Sequence, residues 1–584
     1  MNGLLQLPPA LLVLAAAALV PLLSRRVGSA VAGGSLALVV AWALAVPAGV
    51  GPTTTFLGFE LRVVRVDAVT RLVTLVFGGF GLAAVGYAHL SGMGRIRLTC
   101  ALVYAAAALW TVTVGDWLSL IVGWELLAVS ATLLLWLDRG PAVRAGYRYA
   151  LAHAIGGTAL LVGLAIHTSS VGPAPDALWF GDGIAPGLAA AGVGIGIAVN
   201  AAVIGVHAWL PDSYARPHVA SSVFLCAYTT KVAVYTAHRA FPDGNLLLAY
   251  AGGAMAVYGA GYALAQSDMR RLLAYHIQAQ VGYMLAGVGI GGALGVAGGF
   301  AHLFNNVLYK GLLFMLAGIV LLRLKEERLD HFGALGATMP VVLAAFTVAA
   351  LSIAGMPGTN GFVSKELVFA AADDAGARPL YWLLLAGSVG TAASFAKFGY
   401  YAFLDGEPPD RGIPEGVASG RAYAALTLPL AGCCLLFGLR YDLLFALLPA
   451  AGTWSVDPYA TGTVLEKLAL GAVGAVAFLV SKPLLKRLEG GTDVDALHDP
   501  LALYGTRAVS GALAWGFERA DRLAAVVAAR VEGLTRGAEA PIRTVLPVWL
   551  RGEDGELSAT LAIGPSVALV LAVLAASLLV ALAV

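Results

Sequence analysis

Charged residues are scarce in this sequence. Aspartate, glutamate, lysine and arginine make up 12% of the 584 residues, whereas 59% of the residues are hydrophobic. The formal net charge is only +2, which gives no reason to expect a nucleic-acid partner. The apolar runs repeatedly reach the roughly 20 residues that a helix needs to cross a bilayer. The composition therefore predicts an all-α polytopic membrane protein in a lipid bilayer, without a soluble catalytic domain.

Cysteine is also rare, and the common cofactor motifs are missing. Cys100, Cys226, Cys433 and Cys434 lie in apolar sequence without a CxxC or Cys/His ligand spacing, and we interpret them as small core residues. No Walker sequence and no recognisable haem or iron–sulfur spacing occurs. The sequence therefore predicts no cofactor, no metal site and no power source based on nucleotide hydrolysis.

The apolar runs predict about sixteen membrane spans. They lie near residues 4–23, 28–50, 67–90, 98–115, 117–137, 147–168, 184–209, 217–239, 245–266, 272–291, 296–322, 338–372 (broken), 379–403, 422–448, 463–481 and 560–583. Most basic residues of the connectors follow odd-numbered spans, as Arg25, Arg139 and Arg270 do. By the positive-inside rule these connectors are cytoplasmic, which places both termini outside.

The spans and connectors divide the chain into five expected regions. These are N-terminal transmembrane helices (1–116), a central transmembrane core (117–410), C-terminal transmembrane helices (411–484), an amphipathic cytoplasmic segment (485–555) and a final span (556–584). The segment 485–555 mixes apolar and charged residues at helical spacing. It could lie on the cytoplasmic surface or against neighbouring spans, as a structural brace or as a partner-binding element.

Two places interrupt the regular helical pattern. The stretch Met339–Ala372 is too long for one span, and its middle contains Gly355, Pro357 and Gly358. We predict a discontinuous helix there, because unwound backbone at membrane depth often marks an ion path. A simple packing kink would also explain the pattern. The second place, 207–217, reads by itself as an ordinary loop between spans.

Two charged residues within apolar sequence are candidates for a function in ion movement, since a charge in a bilayer is costly. Glu125 is predicted to begin a buried half-helix after Asp116, although a carboxylate at the membrane interface is the alternative. Lys231 lies midway through its predicted span, where it could accept and release a proton. A static salt bridge would be the alternative for Lys231.

The eleventh predicted span carries a polar stripe. His302, Asn306, Tyr309 and Lys310 follow helical spacing, with Asn305 beside them, and predict a hydrogen-bonded relay. Satisfied core side chains are the alternative. Two further residues have ambiguous positions: His276 could extend the relay or lie at a helix entrance, and Lys397 lies late in its span, where its side chain could reach the surface.

Five sequence segments resemble a known superfamily. They are His-Ala-Trp-Leu-Pro-Asp (207–212), Thr-Lys-Val-Ala-Val-Tyr (230–235), the run from Arg271 to Met284, Leu-Tyr-Lys-Gly-Leu-Leu-Phe (308–314) and Ala-Leu-Ser-Ile-Ala-Gly-Met-Pro (350–357). Together they resemble the proton-conducting, antiporter-like membrane subunits of respiratory complex I, membrane hydrogenases and Mrp-type multisubunit cation/proton antiporters. The pattern from His276 to Met284 looks most like the D-type Mrp subunit. The resemblance is strong over about 60–410 and covers the rest by general organisation. It implies two inverted five-helix repeats, each with a broken helix, flanked by additional spans, and it implies that 117–410 is a proton-conducting, antiporter-like core.

The resemblance also implies roles for individual residues. It matches Glu125 to the buried glutamate of the superfamily, Lys231 to a lysine that links half-channels, and Lys397 to an exit-side lysine. It matches His302 and Lys310 to the central relay. One position departs from the pattern: Asn200 stands seven residues before His207, where the superfamily usually has a lysine. Either Lys231 replaces that lysine as the partner of Glu125, or this chain conducts protons differently.

The expected function follows from the resemblance. It implies a proton-translocating subunit of a multisubunit Na⁺/H⁺ antiporter in the cytoplasmic membrane, with other membrane subunits as partners and no catalytic activity of its own. The alternative is the pumping subunit of a complex I-like NADH:quinone oxidoreductase or a membrane-bound hydrogenase. A subunit that energises uptake of a solute such as inorganic carbon is a third reading.

Overall fold

The computed structural model describes residues 6–172, 174–181, 183–407, 420–488 and 495–535, and most of them are helical. The helices up to Asn200 are α1 (Ala10–Leu19), α2 (Arg25–Ala45), α3 (Ala68–Leu90), α4 (Arg95–Thr113), α5 (Trp117–Trp136), α6 (Pro141–Val171) and α7 (Leu188–Asn200). The helices from Trp209 to Ala354 are α8 (Trp209–Ala215), α9 (Val219–Leu225), α10 (Thr229–Ala240), α11 (Leu246–Ala265), α12 (Met269–Ile290), α13 (Gly292–Leu324), α14 (Leu335–Thr338) and α15 (Pro340–Ala354). The last helices are α16 (Asn360–Asp374), α17 (Arg378–Gly399), α18 (Gly420–Leu439), α19 (Tyr441–Phe445), α20 (Thr461–Leu488) and α21 (Asp495–Thr535).

The prediction of a polytopic, helical membrane protein is confirmed. Within the described ranges, ten helices are long and apolar enough to cross a membrane, and three shorter apolar helices accompany them, at Ala10–Leu22, Leu188–Asn200 and Pro340–Ala354. The total of about sixteen spans stays a prediction. The last predicted span, 560–583, lies outside the described residues.

The connector between α2 and α3 contains the β-structure of the described chain, which the sequence did not predict. Strands β1 (Gly49–Val50) and β4 (Arg65–Val66) pair antiparallel, and β2 (Thr53–Phe56) pairs with β3 (Phe59–Arg62). Leu57 and Gly58 join β2 to β3, and both have positive φ, at 50° and 82°. Such a two-residue turn matches the twist of a hairpin. The hairpin lies in a connector and leaves the helical class unchanged.

The first discontinuity lies between α7 and α10. Helix α7 ends at Asn200, and Ala202 and Gly205 follow with positive φ values of 57° and 97°. The side chain of Gln278 donates a hydrogen bond of 3.0 Å to the carbonyl of Ala202, so a buried amide satisfies the freed backbone. The interpretation of 207–217 as an ordinary loop is wrong, because Trp209–Ala215 is a buried helix. The predicted single span 217–239 is also wrong, because it consists of α9 and α10.

The second discontinuity is where the sequence predicts it. Helix α15 ends at Ala354 and α16 begins at Asn360. Gly355 and Gly358, on either side of Pro357, have positive φ values of 78° and 86°, which L side chains rarely adopt. Asn305 donates a hydrogen bond of 2.7 Å to the carbonyl of Asn360 at the start of α16. The prediction of a broken helix is therefore confirmed.

Helices α12 and α13 form the centre of the bundle. Almost every residue of α12 is buried, and so is α13 from Gly295 to Val320. Helices α3, α10, α11, α16 and α18 are among those that pack around them. Outer helices such as α6 and α20 expose apolar residues, for example Leu151 and Val480. A bundle with an apolar exterior suits a lipid environment, and its polar interior contains the candidate site.

The chain divides into two compact units, 1–491 and 492–584. In the second unit, α21 is a helix of 41 residues that lies within the segment predicted to be amphipathic. Its side chains at Leu513 and Phe517 are exposed, as is that of Glu518. The predicted residues 489–494 and 536–555 lie outside the described part of the chain.

Candidate functional site

A hydrogen-bonded cluster surrounds His302 at the centre of the bundle. Its Nδ1 lies 3.1 Å from Ser364 Oγ on α16, and its Nε2 lies 3.1 Å from Gln280 Oε1 on α12. The hydroxyl of Tyr309 donates to the same Gln280 oxygen over 3.3 Å and accepts from Asn306 Nδ2 over 3.2 Å. All five residues are fully buried. The predicted stripe of α13 is thus a connected network that also joins α12 and α16.

Lys310 and His276 lie beside this network, and within the described residues their side chains form no hydrogen bonds. Both side chains are fully buried, and neither Lys310 Nζ nor the ring nitrogens of His276 have a hydrogen-bond partner among the described residues. The ring of Phe395 contacts both, with its centre 5.9 Å from Lys310 Nζ and 4.8 Å from the His276 ring centre. The charge of Lys310 also acts on His276. The two groups therefore share one electrostatic environment.

Lys231 begins a half-helix instead of lying midway along a span. It occupies the first turn of α10, just after the chain leaves α9, and it is fully buried. Its Nζ donates to the carbonyl of Cys226 over 2.8 Å and to Thr230 Oγ1 over 3.3 Å. The ammonium group therefore satisfies the end of α9. The predicted mid-span position is corrected, while the predicted burial is confirmed.

Glu125 differs most from the sequence expectation. Glu125 lies within the continuous helix α5 and is exposed, so the prediction of a buried half-helix is wrong. In the part of the chain that the structure describes, no ion pair joins Glu125 to Lys231. Asn200 is fully buried at the end of α7, and neither amide atom has a hydrogen-bond partner in the described ranges. Lys231 thus does not replace the missing lysine as a partner of Glu125 within this chain.

Lys397 is fixed at the end of another helix. Only 3% of it is exposed, and its Nζ donates to the carbonyls of Leu264 and Gln266, each over 2.9 Å. These carbonyls end α11, where the helix dipole is negative and favours a cation. Gln266 also lines a polar cavity of about 870 Å³ together with Asp268, Arg271 and Glu327. Of the two possibilities that the sequence leaves open, Lys397 is therefore buried and does not reach the surface, and it lies next to a cavity at the predicted cytoplasmic end.

Lys365 is a buried lysine that the sequence reasoning missed. It lies on α16, is 2% exposed, and donates a hydrogen bond of 2.9 Å to the carbonyl of Ile353, just before the second discontinuity. Its Nζ lies 4.6 Å from the ring centre of Tyr283. Its neighbour in sequence, Ser364, contacts His302. The sequence did contain a signal for this lysine, because Lys365 lies only seven residues after Gly358 of the predicted helix break.

An ion pair closes the predicted outer end of the helix that carries Lys231. Arg239 on α10 binds Asp67 through Nη1 to Oδ2 at 2.7 Å and Nη2 to Oδ1 at 2.9 Å, and it donates to Thr70 Oγ1 over 3.1 Å. Burial alone would raise the pKa of the Asp67 carboxyl, but the charge and hydrogen bonds of Arg239 lower that pKa well below its usual range. Tyr235, one helical turn from Lys231, lies 3.4 Å from the Thr70 hydroxyl.

The described residues offer no group of three His, Cys, Asp or Glu side chains that could hold a metal ion. What the site contains is a set of proton-exchanging groups. Lysine and histidine each exist in a protonated and a neutral form, and the tyrosine, serine and amide groups between them can donate or accept hydrogen bonds. Such an arrangement is chemically suited to proton transfer.

Comparison with protein families gives one match that covers the site. The family described as "NADH:quinone oxidoreductase/Mrp antiporter, TM" matches residues 114–394. This range includes every central residue described above, from Glu125 to Lys365, and it ends before Lys397. The helices α18 and α20 lie outside the match.

Individual relatives agree with the family match. NADH-quinone oxidoreductase subunit N of Desulforudis audaxviator is 30% identical over 386 residues, which are 62% of this chain and 76% of the relative. F(420)H(2) dehydrogenase subunit L of Methanosarcina mazei is 30% identical over 346 residues, so this chain spans only 51% of that relative. A chain of the Mrp complex from Dietzia sp. has the same fold, with a TM-score of 0.67 and 24% identity over 81% of this chain and 98% of that one.

Proposed function

The chain belongs to the NADH:quinone oxidoreductase/Mrp antiporter transmembrane family, and from that membership we propose that it moves protons across a membrane as one subunit of a larger complex. The proposed membrane is the cytoplasmic membrane. The chain would have no catalytic activity of its own, and the driving force would come from an existing gradient or from partner subunits.

One observation carries this proposal: three lysines are buried in the bundle without carboxylate partners. Lys231, Lys310 and Lys365 are at most 2% exposed, and none forms a salt bridge within the described ranges. A charged side chain in the middle of a membrane costs about 2.5–3.5 kcal/mol even on insertion scales. A structural role would be met by an apolar side chain at lower cost, so charges kept there favour a transport function.

The proposed path runs through the buried axis. A proton would pass between Lys231 and Lys310, through the network of His302, Gln280 and Tyr309, to Lys365. The charges of Lys231 and Lys365 both act on His302, so protonation of one lysine changes the energy of protonating its neighbours. The unpartnered atoms of Lys310 and His276 would bond to water along the path. Lys397, beside the polar cavity, would exchange protons with the cytoplasm.

Glu125 has a different proposed position in the complex. Because its carboxylate is exposed on an otherwise apolar helix, it would face a neighbouring membrane subunit instead of Lys231. Asn200 cannot carry a charge, so the transfer step that the superfamily assigns to a lysine there would be absent or carried by water. Of the two alternatives that the sequence left open, we therefore propose that this chain conducts differently from its relatives.

We favour a Na⁺/H⁺ antiporter of the Mrp type as the complex. The pattern from His276 to Met284 resembles that of the D-type Mrp subunit, and this resemblance supports the Mrp-type complex. The second candidate is the pumping subunit of a complex I-like oxidoreductase or a membrane-bound hydrogenase. It is supported by the two relatives named as subunits of redox enzymes.

Purification of the complex from its native membrane distinguishes the two candidates. Mass spectrometry should identify several membrane subunits without flavin or iron–sulfur proteins, and vesicles containing the complex should show sodium-dependent proton flux. Co-purification of flavin or iron–sulfur subunits would instead favour the redox pump.

The proton path itself is tested in the same vesicles. Lys231→Ala and Lys397→Ala should each abolish cation-dependent proton movement while the protein remains folded. Lys482→Ala is the matched control, because it removes a lysine whose ammonium contacts the hydroxyl and ring of Tyr400 and not a residue of the proposed path. Undiminished transport in both axis variants would contradict the proposed function.

A further inference from the structure

A second group of charges lies where α20 packs against α16 and α17. Lys467 on α20 is 3.2 Å from Glu366 Oε2 on α16 and 2.8 Å from Oε1 of its neighbour Glu466. The hydroxyl of Tyr381 on α17 donates to the two carboxylate oxygens of Glu466, over 3.4 and 3.3 Å. The Lys467 ammonium also lies 3.9 Å from the ring centre of Phe369. Three helices therefore meet at one lysine.

The exposed fraction of the side chain increases from Lys467 through Glu366 to Glu466. The side chains of Lys467, Glu366 and Glu466 are 6%, 14% and 38% exposed. A buried ammonium between two carboxylates is held by both, and the group as a whole carries one excess negative charge. The group is thus an anionic connection between the interior and the surface of the bundle.

The group begins at the residue next to Lys365, where the proposed proton path ends. Glu366 is the residue after Lys365 in α16, and the charge of Lys467 acts on Lys365. Lys467 in turn pairs with Glu366 and with the more exposed Glu466. The charged and titratable groups around Lys467 are Lys365, Glu366 and Asp373 on α16, Arg378 and Tyr381 on α17, and Glu466 on α20.

The group also lies toward one end of the bundle. Glu466 is near the start of α20 and Tyr381 is near the start of α17, whereas Lys397 is near the end of α17. The ends that hold Glu466 and Tyr381 join connectors with few basic residues, which the positive-inside rule places outside. Lys397 and its cavity lie at the opposite, cytoplasmic end.

We propose that Glu366 and Glu466 form the outer proton-release station of this protein and that Lys467 is the residue that positions them. The proposal rests on the proposed proton-translocating function and adds α20, which lies outside the family match, to the proton path. An N–H bond of the Lys365 ammonium breaks, and an O–H bond forms on the Glu366 carboxylate along hydrogen-bonded water. The neutral Glu366 releases Lys467, whose ammonium then pairs with Glu466 alone. The proton leaves Glu366 for Glu466 and the outer solution, and no electrons are transferred.

The test uses the complete complex in vesicles, with proton flux measured against the pH of the compartment that faces the outer side. Lys467→Gln should lower flux about tenfold and move the outer pH dependence upward by about one unit, since carboxylates that lose a neighbouring cation hold protons more tightly. Lys467→Arg should restore both flux and pH profile, because it keeps the charge. Lys482→Gln, at the other end of α20, should change neither.

A second variant tests the proposal in a protein that should fold even if Lys467→Gln does not. Lys467→Gln leaves the buried Glu366 unpaired, whereas the double variant Glu366→Gln/Lys467→Met leaves only the partly exposed Glu466 without its lysine. The double variant should fold, and its flux should lose the outer pH dependence. Flux and pH profile like those of the unmodified complex in either Lys467→Gln or the double variant would overturn the release station. Undiminished flux in both Lys231→Ala and Lys397→Ala would instead overturn the proposed function.

Discussion

Lys365 donates a hydrogen bond of 2.9 Å to the carbonyl of Ile353, two residues before the glycine at which the helix breaks. The break leaves backbone carbonyls without helical partners, and a carbonyl at this depth cannot rely on lipid for a hydrogen bond. The lysine therefore satisfies the broken helix and presents a proton-exchanging group at the same point. Structure and proposed function depend on one side chain.

The two roles of Lys365 can be separated by substitution. Lys365→Gln keeps a side-chain donor for the Ile353 carbonyl but cannot carry a proton, so proton flux should fall about tenfold or more, equivalent to about 1.4 kcal/mol in the barrier, with little change in thermal stability. Lys365→Ala should lower both flux and stability, because the carbonyl loses its partner. Flux in vesicles and thermal unfolding in detergent measure the two effects. Normal flux in Lys365→Gln would exclude Lys365 from the path.

The glycine at the break is predicted to be required for stability. Gly355 has φ of +78°, and an added Cβ would lie 3.0 Å from Cδ of Lys365. Gly355→Ala should therefore destabilise the protein by about 1–2 kcal/mol from backbone strain, and should reduce flux by displacing Lys365. Gly34→Ala is the matched control. Gly34 lies within helix α2 with open space around its Cβ position, so this change should stabilise by about 0.5–1 kcal/mol. A neutral Gly355→Ala would contradict the strain argument.

The sequence predicted the polar stripe of α13 because helical periodicity fixes which residues share a face. His302, Asn306 and Tyr309 are three and four residues apart, and they contact one another as expected. The broken helix was also predictable, since Gly355 and Pro357 disfavour continuous helix.

Other features could not be read from local sequence. Glu125 is surrounded by apolar residues in a helix that is apolar on all faces, so no periodicity shows whether it faces the core or the exterior. The interruption before Lys231 has no glycine or proline. It is stabilised by tertiary contacts such as the hydrogen bond that the backbone N–H of Thr229 donates to the Tyr104 hydroxyl. The link from Lys467 to Glu366 spans about a hundred residues of chain and depends on how α16 and α20 pack.

The ion pair between Asp67 and Arg239 is predicted to stabilise the outer end of α10. Asp67→Asn leaves the buried Arg239 without its counter-ion and should cost about 2 kcal/mol, less than a fully buried pair because a third of Asp67 is exposed. Asp442→Asn, which removes the carboxylate of the exposed pair with Arg440, is the control and should leave the melting temperature nearly unchanged.

The same pair predicts a dependence of stability on pH. Because the folded-state pKa of Asp67 is lowered, its contribution is complete above the unfolded pKa of about 3.9 and is lost as the pH falls through the folded pKa. The difference in melting temperature between the unmodified protein and Asp67→Asn should thus be constant from about pH 7 to pH 5 and shrink only below about pH 4. A difference that already disappears near neutral pH would show that another group controls the stability.

Asn200 offers a prediction in which stability and function change in opposite directions. Its buried amide atoms have no hydrogen-bond partners among the described residues, so Asn200→Leu should leave stability unchanged or raise it by about 1–3 kcal/mol. If water around this amide carries protons toward Lys231, the same change should lower proton flux, whereas Asn200→Lys, the residue usual in the superfamily, should retain it. Asn245→Ala is the converse control: Asn245 caps α11 by accepting a hydrogen bond from Leu248 N, so its loss should cost about 1 kcal/mol without changing flux. A less stable Asn200→Leu variant with normal flux would make Asn200 a structural residue, and the path past α7 would then need another carrier.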